Sequence, residues 1–375
     1  MEGYYLKSVD LASFEVEEDI NREGDFKSFE FKGSASEYFR IWIVNIALSI
    51  LTLGIYSAWA KVRANRYLYA NTYLNGSNFE YNADPVRILI GRVVVVSMYA
   101  MFVIFSQYLF LFEVAGVIAL IAFLVMPWLL RQAVCFKLRN TSYRNIPFRY
   151  EGKVSDFYLF FFFHLILNIF TLFLAFPYSY VQYKKLVINN AHYGDGDFHF
   201  FAKAGEAYMI YLKIFLWSML VVLGFVLLFS LLGTGLASLL SGLENIDVTL
   251  NPEVVGLFVS SGVFLIYMPF LFWNKGLSDG YFSNFVRNNT TLNHSPLKGT
   301  IAPFKLGVIS ATNILAIIFS LGLLYPWTKI RYLKYKLAQT ALACEDYEQF
   351  ASHGYRTGST VGEEMVDFFD IDIGF

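Results

Sequence analysis

The sequence predicts an all-α membrane protein, polytopic and internally repeated, with small β-hairpins on its cytoplasmic side. Composition is the first reason. Of the 375 residues 56% are apolar and only 16% charged, with 39 Phe and 26 Tyr, and mean hydropathy is +0.47. So apolar a chain belongs with membrane proteins rather than soluble domains. A recurring block is the second. Residues 51–71, 170–190 and 319–339 each run apolar, then reach Pro or Ala followed by an aromatic: Ala58-Trp59, Pro177-Tyr178 and Pro326-Trp327. Each turns basic and meets an amide twelve residues past the aromatic, at Asn71, Asn190 and Gln339. Pro127-Trp128 keeps the same distance to Asn140. A shared register of this kind marks internal duplication. Strand-like stretches following the blocks are the third.

Seven apolar segments stand out, at about 39–58, 88–112, 114–130, 157–178, 208–232, 253–273 and 305–326. A span needs roughly 20 apolar residues. The stretch 93–130 reads as a hairpin turning near Glu113–Gly116. Residues 208–273 read as another, around the loop 233–252, which holds Glu244 and Asp247 but no Lys or Arg. The other three segments belong to the repeated block. If all three cross, basic loops fall on both sides, against the positive-inside rule. If each returns to its own side, the basic stretches 59–87, 131–156, 179–207, 274–304 and 327–340 all face the cytoplasm. The acidic loop 233–252 then faces out. This same-side reading is preferred, with seven full spans as the alternative. It requires irregular backbone at membrane depth to be covered by protein or reached by water.

The repeated membrane domain covers 29–344, between an acidic N-terminal tail, 1–28, and an acidic C-terminal tail, 345–375. The opening MEGYYLKSVD lacks the basic-then-apolar pattern of a secretory signal. Met365, Phe368, Phe369 and Ile371 are expected to dock the C-terminal tail on the basic surface, which places the C-terminus in the cytoplasm. Cys135 and Cys344 show neither pairing nor metal spacing and read as reduced thiols. Net charge is -1 with no uniform basic excess, so no nucleic-acid partner is expected.

Four stretches carry hairpin signals. Residues 72–81 hold Asn75-Gly76 and residues 191–200 hold Asp195-Gly196; 140–150 and 289–299 are their cousins. In all four an apolar residue lies eight past the amide: Phe79, Phe148, Phe198 and Leu297. The runs Phe29 to Gly33 and Phe148 to Gly152 read as matching strands ahead of two blocks.

Several of these residues carry a family resemblance. They are Phe31-Lys-Gly33, Leu53-Gly54-Ile-Tyr56, Trp59-Ala-Lys61-Val-Arg63, Asn140-Thr-Ser-Tyr143-Arg144, Tyr325-Pro326-Trp327-Thr-Lys329-Ile-Arg331, and the ending Gly362-Glu363-Glu364 with Asp370-Ile-Asp372-Ile-Gly374. In that order the chain resembles the YjgN-like bacterial inner-membrane family, whose function is unknown. The likeness runs over nearly the whole chain after about residue 26. The second block departs from it. Ser179 to Gln182 lacks the Lys-x-Arg pair, and charge arrives later, at Lys184-Lys185. The resemblance implies an integral inner-membrane location and names no substrate.

No nucleotide-binding, zinc-protease or serine-hydrolase motif is present. No catalytic residue, metal or cofactor is expected, and the protein reads as a non-enzyme. His192 and His199 flank one hairpin, and the acids of the tail lack cation-loop spacing; both are weak as metal ligands. Asn45, His164, Asn168 and Asn313 form a candidate intramembrane polar site, because polar groups are costly in lipid. The plainer reading is that they hydrogen-bond neighbouring helices. Trp59, Lys61, Arg63, Arg66, Trp128, Lys184, Lys185, Trp327, Lys329 and Arg331 form a candidate headgroup-binding set. Basic-aromatic helices suit anionic lipid surfaces; the plainer reading is topology anchoring. Arg92 and Lys213, near span ends, read as snorkelling side chains. Transport or permeation of a solute, ion or lipid is the favoured function. A non-catalytic scaffold or envelope-organising protein engaging anionic lipids is the alternative. Membrane lipids are the expected partners, and the sequence names no protein partner. A water-filled cavity lined by Asn45, His164, Asn168 and Asn313 and reaching the bilayer centre would favour transport; a solid apolar core with basic residues facing the headgroups would favour the scaffold.

Overall fold

Every unit of the repeat runs from a strand through two helices to a second strand. The computed structural model describes residues 26–242 and 252–343, and within them this unit occurs five times. Unit 1 comprises β1 (Phe26–Ser28), β2 (Glu30–Phe31), α1 (Ala35–Leu51), α2 (Ser57–Ala70) and β3 (Thr72–Leu74). Unit 2 comprises β4 (Ser77–Tyr81), α3 (Pro85–Val103), a π turn over Ile104–Tyr108, α4 (Phe112–Arg139) and β5 (Thr141–Tyr143). Unit 3 comprises β6 (Ile146–Tyr150), α5 (Val154–Phe170), α6 (Phe176–Ile188) and β7 (Ala191–Tyr193). Unit 4 comprises β8 (Gly196–Phe200), α7 (Ala204–Gly242), α8 (Pro252–Asn288) and β9 (Thr290–Leu292). Unit 5 comprises β10 (Ser295–Gly299), α9 (Pro303–Phe319), α10 (Tyr325–Ala338) and β11 (Thr340–Ala343).

The strands overturn the expected all-α fold with separate small hairpins. The four expected hairpins exist, but they join edge to edge in one antiparallel sheet of eleven strands, ordered β1-β11-β10-β9-β8-β7-β6-β5-β4-β3-β2. The two ends of that order are one stretch of chain. Phe26 to Ser28 pairs with β11, and Glu30 to Phe31 pairs with β3. Between them the Phe29 N–H donates to Thr340 O at 2.9 Å. The sheet is therefore a nearly closed barrel. The physical reason is edge satisfaction: a lone two-stranded hairpin is marginal in water and leaves both edges unpaired, which closure avoids. One turn also shifts, because Tyr193 pairs with Gly196 and leaves Gly194-Asp195 as the turn.

The barrel interior is built from equivalent positions. Leu74, Tyr143, Tyr193, Leu292 and Leu342, one from each unit, form a buried cluster, against which Phe29, Phe79, Phe148, Phe198 and Leu297 pack. The phenols stay satisfied: Tyr143 Oη donates to Leu74 O at 2.6 Å and Tyr193 Oη to Tyr143 O at 3.1 Å. Tyr150 Oη donates to Leu186 O at 3.1 Å, and burial pushes this phenol above the ordinary tyrosine value.

Each second helix ends on the repeated amide. Asn71, Asn140, Asn190 and Asn289 each donate Nδ2 to the carbonyl four residues back, at 2.8, 2.8, 2.8 and 2.9 Å. At Asn71 and Asn140 the same carbonyl also accepts the residue's own backbone N–H, at 3.2 and 3.1 Å, so the side chain adds a second bond at the helix end. Asn289 marks the unit that the aromatic spacing alone does not reveal. Thirteen residues before the amides sit Ala58, Pro127, Pro177, Gly276 and Pro326, all buried.

Helix packing repeats the closure of the sheet. Within each unit the two helices pair. Between units α2 packs on α3, α4 on α5, α6 on α7, α8 on α9, and α10 back on α1. The tightest approach is α8 against α9. A methyl at Gly276 would lie 2.7 Å from Leu306 O and against the Ser310 hydroxyl; one at Gly280 would lie 2.7 Å from Pro303 Cα. Small residues four apart let helix backbones approach this closely.

The units differ in length. In units 1, 3 and 5 the first helix has 17 residues, a length of about 25 Å. Unit 2 and unit 4 run longer, and Pro85–Tyr108, Phe112–Arg139 and Ala204–Leu227 are long and apolar enough to cross a membrane. The apolar segments 39–58, 157–178 and 305–326 are thus each broken by a turn, after which the chain comes back to the barrel.

The three turns share one design. Gly54 N–H donates to Ser49 O, Phe173 N–H to Asn168 O and Gly322 N–H to Ile317 O, at 2.7, 2.7 and 2.8 Å. The preceding residues Leu53, Leu172 and Leu321 have φ of 49°, 50° and 52°. Hydroxyls then hold the residue that precedes the next helix: Thr52 Oγ1 accepts from Tyr56 N–H at 2.9 Å, Thr171 Oγ1 from Ala175 N–H at 3.1 Å and Ser320 Oγ from Leu324 N–H at 3.0 Å. The turn thereby satisfies its backbone N–H groups internally. Its side chains point outward, with Leu53 95%, Leu172 83% and Leu321 93% exposed.

Candidate functional site: an axial chamber

The second helices α2, α4, α6, α8 and α10 descend to the barrel and enclose its axis. Two cavities lie stacked there. One, of about 670 Å³, is lined among others by Leu68 of α2, Lys184 of α6, Val286 of α8 and Leu333 of α10. In the helix ring α3, α4 and α5 separate α2 from α6, so a cavity touching both lies at the centre. The second, of about 370 Å³, sits on the barrel side, floored by Leu74, Tyr143, Tyr193, Leu292 and Leu342. Leu68, Val286 and Leu333 line both and form the neck between them.

Cations mark the axis. Among the described residues, Lys275, Lys329, Lys184 and Lys336 line the larger chamber with one acid, Asp279. Lys137 and Arg287 line the smaller one, with no acid among its lining residues. Counting helical rise back from the barrel end of each helix, Lys336, Lys184, Lys329 and Lys275 stand at about 3, 6, 14 and 20 Å. Lys184 is buried, its ammonium 5.7 Å from the Tyr180 ring centre. Asp279 Oδ2 accepts from Tyr332 Oη at 2.8 Å. The wall is therefore a ladder of positive groups interleaved with tyrosines. Such a surface can hold a phosphate or carboxylate by charge and by N–H and O–H donation.

The four intramembrane polar candidates are spread over three units. Asn45 Nδ2 donates to Ala60 O at 3.1 Å, and Asn313 Nδ2 to Thr328 O at 3.2 Å. The separation is the same fifteen residues in both. His164 takes the equivalent place in unit 3, facing Ser179 in register. There Asn168, one turn on, makes the tie, donating to Ser179 Oγ at 2.9 Å. His164 Nδ1 lies 2.9 Å from Phe160 O and its ring stacks on Tyr178. Each of these residues thus engages its own hairpin, and of the four Asn313 lines the chamber. Its Oδ1 accepts from Arg331 Nη1 at 3.1 Å.

The headgroup candidates divide. Lys184 and Lys329 line the chamber. Arg331 also donates to Thr312 Oγ1 at 2.9 Å and lies over the Trp327 ring at 5.1 Å. Arg66 donates to Ala83 O at 3.3 Å. Trp59 stacks on Tyr56, and Trp128 packs on Leu129 and Ala133. Arg63 is exposed, while Lys61 and Lys185 are half-buried. Sequence reasoning missed Lys275, Asp279, Lys137 and Arg287 as members of one site. A faint signal existed for the first two, since the run from Lys275 to Gly280 sets charges four apart beside small residues. The expected loop 233–252 is helical through Gly242 and again from Pro252; residues 243–251, Cys344 and the expected docking of the acidic tail lie outside the described residues.

Comparison with known proteins fixes the family. The family described as "Bacterial protein of unknown function (DUF898)" matches residues 26–368. Inner membrane protein YjgN of Escherichia coli (strain K12) is 29% identical over 138 residues, 35% of this chain and 33% of that protein. The protein of the same name from Escherichia coli O157:H7 is 43% identical over 72 residues, 19% of this chain and 18% of that one. That of Salmonella typhimurium (strain LT2) is 41% identical over 69 residues, 18% of each. The matched stretches span about a third of these relatives' length or less. No solved structure matches. With a family match over most of its length, the chain belongs to the YjgN-like family of bacterial membrane proteins of unknown function.

Proposed function

We propose that the protein is a multi-pass transporter of the inner membrane that holds the anionic group of its substrate in the axial chamber and passes it toward the barrel without a chemical step. The observation that carries this reading is the cation ladder, from Lys275 through Lys329, Lys184 and Lys336 to Arg287 and Lys137. Charges at membrane depth are expensive, and those that face a shared cavity mark pathways for ions and substrates. Low-dielectric walls strengthen their pull on an anion. The barrel is the cytoplasmic end in this reading, because all five basic stretches gather there. The relatives named as inner membrane proteins support the choice of membrane.

The test is ligand-dependent stabilisation of purified full-length protein. Inorganic phosphate, glycerol 3-phosphate and phosphatidylglycerol would be compared with choline and phosphatidylcholine. At least one anionic probe should raise the melting temperature saturably, as selective binding to the folded state must. The gain should shrink in Lys184→Gln and Lys275→Gln. Equal behaviour of anionic and non-anionic probes would end the proposal.

A further inference from the structure

The larger chamber is cationic along its length and gains apolar side chains toward its far end. Lys184 and Lys336 stand near the barrel and Lys329 farther up, and at the far end Lys275 shares its level with Phe272, Ile314, Ile317 and Tyr325. Ile317 and Tyr325 flank the turn of unit 5, so this mouth lies at the level of the short-hairpin tips. The short helices reach about 25 Å, against a hydrocarbon core of roughly 30 Å, so their tips end inside it. The side chains at those tips are apolar and almost wholly exposed, as lipid contact requires.

Beyond that level the enclosure changes. Six of the ten described helices, α1, α2, α5, α6, α9 and α10, have ended or turned, and only α3, α4, α7 and α8 continue. A hydrated free anion arriving from the far side would cross hydrocarbon before meeting Lys275. An anion carried on an apolar chain meets no such barrier, because it enters sideways with its chain still in the bilayer. From this geometry we infer that the chamber takes the head of a membrane-borne anionic amphiphile, a phosphate-bearing lipid of net negative charge, while its chains leave between the hairpin tips past Phe272, Ile314 and Ile317. The inference rests on the anion reading above and names its substrate class. A cavity of about 670 Å³ falls within the size range of small-molecule sites, and among the described residues that line it four are lysines and one is an acid, a wall that disfavours a cationic head.

Native mass spectrometry of the full-length protein in neutral detergent tests it. Phosphatidylglycerol and phosphatidylcholine with identical chains are offered together, and glycerol 3-phosphate and inorganic phosphate are offered separately. Phosphatidylglycerol should be retained in about tenfold preference over phosphatidylcholine, a difference of about 1.4 kcal/mol. Glycerol 3-phosphate should bind far more weakly than the lipid. Lys184→Gln and Lys275→Gln should each reduce the preference. Lys275 is exposed, so its variant tests the point even where the buried Lys184 variant fails to fold. Ile317→Ser at the mouth should weaken lipid retention and leave binding of glycerol 3-phosphate unchanged. Free glycerol 3-phosphate binding as tightly as the lipid would overturn the amphiphile inference and keep the anion reading. An undiminished lipid preference in both lysine variants would place the lipid on the outer surface and overturn it too. No preference among lipids, with no phosphate bound, would remove both.

Discussion

Short and long hairpins leave the same barrel and meet different fates. Units 1, 3 and 5 stop after 17-residue first helices and turn back on a hydroxyl-held loop. In unit 4 the helices run to 39 and 37 residues. Yet the strands flanking all five keep one antiparallel register, and four of the five close the second helix with the same Asn bond. The base of each unit fixes position on the ring, and the tip fixes depth. The two are separable because helix propagation is local, whereas barrel pairing sees only the strands at the end of each hairpin. Around the ring, short units 5 and 1 are neighbours, and the long units 2 and 4 are each flanked by short ones.

The comparison is broken most severely at the shared base. Tyr143 is 2% exposed and links two units through Leu74 O. Tyr143→Ala should cost about 3–5 kcal/mol, the usual penalty for emptying an aromatic site in a core. Folded yield and the melting temperature of solubilised protein report it. A loss no larger than that of an exposed tip change would show that the units do not depend on a common barrel.

Next comes the joint between a long and a short unit. Gly276→Val must displace the α9 backbone at Leu306, and overpacking of this kind costs about 1–3 kcal/mol. Gly224→Ala on α7 is the control, since a methyl there meets nothing within 4 Å. Equal melting temperatures for the two variants would contradict the close α8–α9 crossing. The tips come third. Thr52→Val, Thr171→Val and Ser320→Ala each remove a hydroxyl acceptor, with an expected cost of about 1 kcal/mol. The loss should be greater in lipid nanodiscs than in a wet detergent micelle, because lipid offers no replacement partner for the freed N–H. The reverse order would place the tips in water.

How much of this was legible follows from how local each feature is. The block, its amide and the four turns lie within about thirty residues of sequence, and the strands appear where the turn residues put them. Closure of the barrel is non-local: β1 and β11 are separated by nearly the whole described chain. Strands of two to five residues carry too little alternation to announce a partner. Unit 4 was hidden because Gly276-Leu277 replaces the Pro-aromatic pair, a change explained by the α9 backbone that only Gly admits there. The chamber was hidden for a similar reason. Lys184 is buried toward the axis while its neighbour Lys185 is half-buried, and no single-sequence pattern separates them before the ring of helices exists. Asn313 was visible as a polar residue in an apolar run, but its membership in the chamber depends on α8 and α10 arriving beside it.

The smallest expected effect compares the turns that join unit 1 to unit 2 and unit 2 to unit 3. Asn75-Gly76 has φ of 45° and 79°, and Arg144-Asn145 has φ of 50° and 62°. Both turns thus require the left-handed region at both central residues, the hairpin geometry that matches strand twist. The first turn places Gly where the demand is strongest; the second holds two side-chain-bearing residues there. Gly76→Ala has open space around its new methyl, so sterics with neighbours are absent and the backbone conformation alone is tested. It should destabilise by about 1 kcal/mol, the usual penalty for an L-residue in that region. Asn145→Gly should act in the opposite sense and stabilise by less, because Asn already tolerates the region better than most residues. Arg144 complicates a change at the first position, since its Nε donates to Ser77 Oγ at 3.1 Å; Asn145 is the cleaner site. Melting temperatures of the two variants, measured in one detergent, should therefore move apart on either side of the parent. A shift of both in the same direction would mean that the two turns do not share a conformation, and that equivalence of the units ends at their strands.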